Sequence, residues 1–265
     1  MFPNSKVIKI NALSALKGNW ATAVSVIMIW VLFTFLLIVV GALICSFIES
    51  AIITTIFITM LMLIAFLIGA PLFLGVLKYI WHITDSGKGN IEDVFLYFSS
   101  RKMYFRAFNL MLQILSKFVI VGSILIVPSL VIEYIANGGF QEIFSAIPLW
   151  LTNFWIIALF LRALGIMLTI ILTAKYYLAP FIFIINDEIE PLKAMHLSQK
   201  ASKISIWNFI GLIFTLMGWF VASILGVTLF FTVPYLITCY IIHSRFAVYY
   251  YNEWVKNAPN LSFQV

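Results

Sequence analysis

Charged residues are scarce in this sequence. Only 10% of its 265 residues are charged, against roughly 25% in an average soluble domain. Hydrophobic residues make up 63% of the chain, and the mean hydropathy is +1.09. A core of this size cannot hide so many large apolar side chains from water, so lipid must be the solvent for much of the surface. The composition excludes a soluble globular protein and indicates a membrane domain.

Cysteines and clustered basic residues are also rare. Cys45 and Cys239 are the only two cysteines, and both lie in apolar runs. We interpret them as small hydrophobic side chains and not as a disulfide or a metal site. The net charge is +6, but no run of five or six basic residues occurs. A nucleic acid is therefore not expected as a partner, because neutralising phosphates needs a basic patch.

Long apolar runs are what the sequence does contain. A spanning helix needs about 20 apolar residues, and six such runs pair into hairpins at 20–80, 104–185 and 206–251. The expected fold is all-α: a polytopic transmembrane bundle of six helices within a single membrane domain, 1–265. Prolines within the runs predict kinks at Pro128, Pro180 and Pro234.

Shorter amphipathic segments separate the hairpins. An amphipathic N-terminus at 4–19 precedes the first hairpin, and short interfacial helices are predicted at 91–100 and 190–205. The polar tail at 252–265 is expected to be loose.

The basic residues predict the orientation. Lys and Arg stay preferentially on the cytoplasmic side of short loops. With six helices and both termini in the cytoplasm, 14 of the 16 basic residues fall on that side: Lys6, Lys9, Lys17, Lys78, Lys88, Arg101, Lys102, Arg106, Lys175, Lys193, Lys200, Lys203, Arg245 and Lys256. The other two, Lys117 and Arg162, lie within apolar runs, so the predicted outer loops hold no basic residue.

Arg162 is a charged residue inside a predicted spanning helix. A charge there costs at least a few kcal/mol and usually has a partner or a function. Glu133, near the outer end of the third helix, is the natural counter-ion, so one hypothesis pairs Arg162 with Glu133. The other is that Arg162 extends its guanidinium to the outer headgroups.

Catalytic and metal-binding motifs are missing. The sequence contains no H-E-x-x-H, no G-x-S-x-G, no P-loop and no cysteine pair at metal spacing. Three histidines, His82, His196 and His243, fall on the predicted cytoplasmic side and could form a polar cluster with Asp187 and Glu188. Ordinary interfacial histidines are the favoured interpretation, because none has ligand spacing with another. We expect no cofactor, no metal and no enzymatic activity.

Several stretches resemble one uncharacterised bacterial family of multi-pass membrane proteins, the domain of unknown function 975. They are Ala15-Leu16-Lys17-Gly18-Asn19-Trp20, 75–79, 91–95, 176–185, Trp207-Asn208-Phe209, Gly218-Trp219 and Val233-Pro234-Tyr235. The sequence departs from the family pattern at 128–148, which looks longer here. A weaker likeness links the chain to the membrane region of some glycerophosphodiester phosphodiesterases. The resemblance implies a bacterial inner-membrane protein, and it brings no activity and no functional residues.

Three functions remain open. The leading hypothesis is a non-catalytic membrane component that interacts with lipids or assists assembly, with membrane lipids and another membrane or cytoplasmic protein as its partners. The alternative is a transporter or permease of a small or apolar solute, for which Arg162 and the prolines would matter. An intramembrane enzyme that uses the histidines and carboxylates comes third.

The topology predicts the outcome of a reporter-fusion experiment. A reporter active only outside the membrane should be active when fused at Glu142 and inactive after Val265, because the basic residues keep both termini in the cytoplasm. A cytoplasmic reporter at the same positions should give the reverse pattern. Equal activity of one reporter at both positions would contradict a six-helix topology with the termini inside.

Overall fold

The structure is a computed structural model that describes residues 2–136, 154–186, 188–223 and 228–257. Within these ranges the chain forms helices and turns and no strand. The α-helices are α1 (Ser5–Leu16), α2 (Trp20–Cys45), α3 (Ala51–Ser86), α4 (Glu92–Phe95), α5 (Arg101–Ala136), α6 (Phe154–Thr173), α7 (Ala179–Ile185), α8 (Pro191–Ser223) and α9 (Leu229–Asn257). Two 3₁₀ turns, Leu96–Phe98 and Ala174–Tyr176, follow α4 and α6.

In the part of the chain that the structure describes, six helical stretches are long and apolar enough to cross a membrane. They are Trp20–Cys45, Ala51–Ser86, Arg101–Tyr134, Ile156–Ile185, Pro191–Ser223 and Leu229–Lys256. The most apolar windows of these stretches have mean hydropathies between 1.2 and 3.0. The prediction of an all-helical protein with six candidate membrane spans is confirmed.

Helix α8 differs from the expected arrangement. The amphipathic segment at 190–205 is not a separate interfacial helix, because it continues without a break into the fifth apolar run as one helix of 33 residues. No Gly or Pro lies at this junction, where Lys203 precedes Ile204, Ser205 and Ile206. A change from polar to apolar side chains shows where the surroundings of the helix change from water to lipid. It does not end the helix, which requires a residue that breaks the backbone pattern or a cap.

The prolines that were predicted to kink helices lie in two different settings. Pro180 lies in the first turn of α7, just after a 3₁₀ turn. Proline is favoured at this position, because the N–H group that it lacks would have no partner within the helix there. Pro128 and Pro234 lie inside α5 and α9. The segment predicted as one helix at 91–100 is α4 plus a 3₁₀ turn, and α9 extends to Asn257, into the tail predicted to be loose.

The chain divides into two compact units. Unit 1 comprises Met1–Met111 and Leu178–Val265, and unit 2 comprises Leu112–Tyr177. The buried side chains of unit 1 gather where α1, the second half of α3, α4, α7, the first half of α8 and the second half of α9 meet. We call this region the packed end. Helix α1 contributes Ile8, Ala12 and Leu16, which repeat every four residues and form one buried stripe.

A glycine lets α3 and α4 approach closely at the packed end. A Cβ atom built on Gly75 would lie 2.0 Å from the carbonyl oxygen and 2.6 Å from the carbonyl carbon of Val94. Real Cβ atoms essentially never come this close to backbone atoms. The position therefore requires glycine as long as α4 keeps its place against α3.

Unit 2 consists of the second half of α5, α6 and the turn that follows. A Cβ on Gly165 of α6 would lie 2.7 Å from the carbonyl oxygen of Leu125 on α5, and one on Gly122 would lie 3.5 Å from Thr169. Ser129 and Ala158 are buried as well. Lipid tails are as apolar as the helix surfaces, so membrane helices associate only where they pack better against each other than against lipid. Small residues allow this, because they let the two backbones approach closely and gain dispersion energy.

The Gly75 contact predicts a stability effect. Gly75→Ala should lower the stability of the purified protein in detergent by roughly 1–3 kcal/mol, because the added methyl group meets backbone and not a flexible side chain. The measurement is the thermal unfolding midpoint. Gly211→Ala in α8 is the matched control, since a Cβ there has no atom within 4 Å. Equal midpoints for the two variants would contradict the close approach of α3 and α4.

Candidate functional site

Lys78 of α3 is a buried cation at the packed end. Its side chain is only 5% exposed, and its Nζ donates a 2.7 Å hydrogen bond to the carbonyl oxygen of Ile184, near the end of α7. The last carbonyls of a helix lack partners within the helix and carry partial negative charge. The ammonium also lies 5.1 Å from the ring centre of Trp81. Lys78 therefore ties α3 to the C-terminal end of α7.

Arg106 of α5 holds the next part of the chain. Its Nη2 donates a 2.5 Å hydrogen bond to the carbonyl oxygen of Ile189, and its guanidinium lies 5.7 Å from the ring centre of Phe183. Together, Lys78 and Arg106 fix both sides of the connection between α7 and α8. Sequence reasoning counted both only as charges that set the topology, and missed that their partners are carbonyl groups.

The three histidines have three different environments. His82 Nδ1 lies 2.6 Å from Asp93 Oδ2, which joins α3 to α4. His243 is fully buried, with its ring 5.1 Å from that of Phe2 and 5.2 Å from that of Phe209. His196 is exposed on α8.

Metal binding by the predicted histidine cluster has no support in the described ranges. In that part of the chain, no three His, Cys, Asp or Glu side chains form a group that could hold a metal ion. Glu188 lies beside His196 in one groove, whereas Asp187 falls outside the described residues. The three histidines of the predicted cluster therefore have separate environments. His82 forms a polar link with Asp93, His243 lies in the core among aromatic rings, and His196 is exposed at the rim of a groove.

The predicted ion pair lies in unit 2. Arg162 Nη2 of α6 donates a hydrogen bond to Glu133 Oε2 of α5, and the two side chains are 32% and 42% exposed. The structure places these residues as the pairing hypothesis requires. A paired guanidinium and carboxylate present much less charge to the membrane interior than either alone.

An open groove of about 780 Å³ runs along α1, and we call it the α1 groove. Its floor is apolar and includes Ile83, Ile242 and Phe246. Its polar lining consists of Asn11, Ser14, Lys17, Asn19, Thr84, Arg245 and Tyr249. Sequence reasoning missed this groove, because its walls come from helices far apart in the chain.

A second open groove, about 860 Å³, lies between α7, α8 and α9, and we call it the α8 groove. Its floor includes Ile182, Leu197 and Val248. Its rim carries charges of both signs: Glu188, Glu190, Lys193, His196, Lys200 and Lys256. Both grooves combine an apolar floor with charged edges, an arrangement that suits amphiphilic ligands.

Comparison with known proteins gives one family. The family model described as "Protein of unknown function (DUF975)" matches residues 1–250. The chain belongs to this family. The match covers every helix of the described ranges except the last turns of α9, so the family likeness of the sequence is confirmed. The family has no assigned function, and the candidate spans are consistent with an integral membrane protein.

Neither the curated proteins nor the solved structures include a match to this chain. The weaker likeness to the membrane region of glycerophosphodiester phosphodiesterases therefore has no support. Function has to be argued from the two grooves and the charged contacts.

The ion pair of unit 2 predicts non-additive mutational effects. Arg162→Ala and Glu133→Ala should each lower the thermal midpoint in detergent, because each leaves one charge without its partner. The double variant should be more stable than the sum of the two losses predicts, with a coupling of at least about 0.5 kcal/mol. Additive losses would show that the two side chains do not interact. Lys117→Ala combined with Glu133→Ala is the control and should be additive.

Proposed function

We propose that the protein is a non-catalytic, lipid-interacting component of the bacterial inner membrane, with its packed end in the cytoplasm. The observation that carries the proposal is the pair of open grooves at the packed end, each with an apolar floor and cationic side chains at its edge. This combination matches a lipid, which joins an apolar chain to a charged or polar head.

The candidate spans support a lipid-facing role. In the middle of α2 and the first half of α3, large apolar side chains such as Leu32, Phe35, Leu36, Ile52 and Met60 are more than half exposed. In a membrane protein such surface is covered by acyl chains or by other apolar helices. The buried core lies instead at the packed end, where the polar and charged residues are concentrated.

The hydroxyl groups of the spans argue against a polar transport path. Thr34, Thr55 and Thr59 donate to carbonyls four residues earlier in their own helices, as does Thr169 in unit 2. Hydroxyls bonded in this way are satisfied locally and do not need to line a water-filled route. Arg162, the charged residue that a transporter would use, is bonded to Glu133. These contacts favour a lipid-interacting component over a permease.

The charge balance indicates which lipids are preferred. The net charge is +6, and the basic side chains lie mainly in the segments that form the packed end. Basic residues next to a membrane surface attract anionic lipids by about 1 kcal/mol each. The protein should therefore associate preferentially with anionic headgroups.

The experiment compares two lipids of different charge. Protein purified in a neutral detergent is titrated with phosphatidylglycerol or with phosphatidylcholine, and its thermal midpoint is followed. A ligand that binds only the folded state stabilises it by about 2.7 kcal/mol at one hundred times its Kd. Phosphatidylglycerol should raise the midpoint more than phosphatidylcholine, and added salt should reduce the difference by screening. Equal shifts with both lipids, at low and at high salt, would refute a preference for anionic lipids.

A further inference from the structure

The α1 groove contains a cation that has no partner in the described part of the chain. Lys17 follows the last residue of α1, and its side chain is exposed with no hydrogen bond or ion pair to any described residue. The next residue, Gly18, has φ of +87° and makes the turn into α2. A left-handed conformation is strained for other residues, so this turn fixes where Lys17 leaves the helix.

The second cation of the α1 groove is only partly engaged. Arg245 Nη2 lies 3.0 Å from Asp85 Oδ1, and the two side chains are 54% and 43% exposed. A guanidinium has five N–H donors, and this contact occupies one nitrogen. An exposed pair of this kind adds little to stability, about 0–1 kcal/mol. Arg245 can therefore exchange Asp85 for a stronger anionic acceptor at little cost.

The position of the groove indicates a membrane ligand. Lys17 lies three residues before Trp20, which begins α2, the candidate span with the highest mean hydropathy, 3.0. Trp side chains concentrate at the boundary between lipid and water. On α1 itself, Val7, Ile10 and Leu13 are exposed apolar residues opposite the buried stripe. An apolar face with lysine at its end is typical of a helix that lies at the membrane surface.

The floor of the groove fits the same kind of ligand. Ile83, Ile242 and Phe246 offer apolar surface in the same groove as the two cations. A free phosphate ion would gain nothing from these side chains, whereas the glycerol backbone and first methylenes of a lipid would be removed from water there. Asn11 and Tyr249 add neutral hydrogen-bonding groups at the edge.

Resting on the lipid-interacting function proposed above, we propose that the α1 groove binds the phosphate of an anionic phospholipid. Lys17 and Arg245 contact the phosphate oxygens, because paired cations bind phosphate through charge-assisted hydrogen bonds. Asp85 competes with the lipid for Arg245. The α8 groove is less suited to an anion, because Glu188 and Glu190 lie among its basic residues.

The test uses variants that remove one positive charge inside or outside the α1 groove. Lys17→Gln and Arg245→Gln remove the proposed ligands, and Arg245→Lys keeps the charge. Lys102→Gln is the matched control, because Lys102 of α5 is exposed and lines neither groove. Each purified protein is titrated with phosphatidylglycerol, phosphatidylcholine or soluble glycerol 3-phosphate, and the thermal midpoint is measured. Midpoints without lipid identify any variant that fails to fold.

The proposal predicts a distinct pattern. The thermal-midpoint shift produced by phosphatidylglycerol should fall by more than half in Lys17→Gln and Arg245→Gln, partly return in Arg245→Lys, and stay unchanged in Lys102→Gln. The Asp85→Asn variant should bind phosphatidylglycerol more tightly than the original protein, because Arg245 is then no longer paired with a carboxylate that competes with the lipid. If Arg245 were only a structural partner of Asp85, Asp85→Asn would lower both stability and lipid binding, which would overturn the proposal.

The remaining outcomes distinguish specific binding in the α1 groove from a general interaction with lipids. If Lys102→Gln loses as much of the midpoint shift as Lys17→Gln, binding follows overall charge, and the specific site is refuted while the lipid-interacting function stands. A shift with glycerol 3-phosphate as large as that with the lipid would assign the groove to a soluble phosphate compound instead. If the original protein shows no preference for phosphatidylglycerol, both proposals fail.

Discussion

The hydrogen bond from Lys78 to the carbonyl oxygen of Ile184 is the contact around which the packed end is arranged. A buried ammonium is costly without acceptors, and the end of α7 has carbonyls without partners, so each satisfies the other. Arg106 does the same for Ile189 a few residues later. With the α7–α8 connection fixed to α3 and α5 in this way, α8 begins at a defined place, and its packing against α9 follows.

Stability is distributed unevenly along the chain as a result. The packed end contains the close approach at Gly75, the His82–Asp93 link and the buried stripe of α1. The middle of α2 and the first half of α3 expose large apolar side chains and gain their stability from what surrounds them. Unit 2 relies on small residues such as Gly165 and on the Arg162–Glu133 pair. The acyl chains around the protein should therefore affect the stability of the spans more than that of the packed end.

The six spans could be predicted from the sequence because hydropathy reports directly on the solvent that surrounds each segment. The pairing of Glu133 with Arg162 could also be predicted, because a charge inside an apolar run needs a counter-ion. The uninterrupted course of α8 could not be read in this way, because polarity changes at Lys203 while the backbone does not. The hydrogen bond of Lys78 could not be predicted either. Its acceptor is a backbone carbonyl, which every residue has, so the sequence does not show which carbonyl is used. The α1 groove requires helices more than 200 residues apart in the chain to meet, which local patterns do not encode.

The length of α8 has a mechanical consequence. Its 33 residues extend about 50 Å at 1.5 Å per residue, whereas the hydrocarbon layer is about 30 Å thick. Roughly 20 Å of the same rod therefore stands outside the hydrocarbon, carrying Lys193, Lys200 and Lys203 on it. An unbroken helix resists bending, so a displacement of its end at Pro191 would be passed to its apolar half as a tilt. A single helix of this length would couple the packed end mechanically to the apolar half of α8.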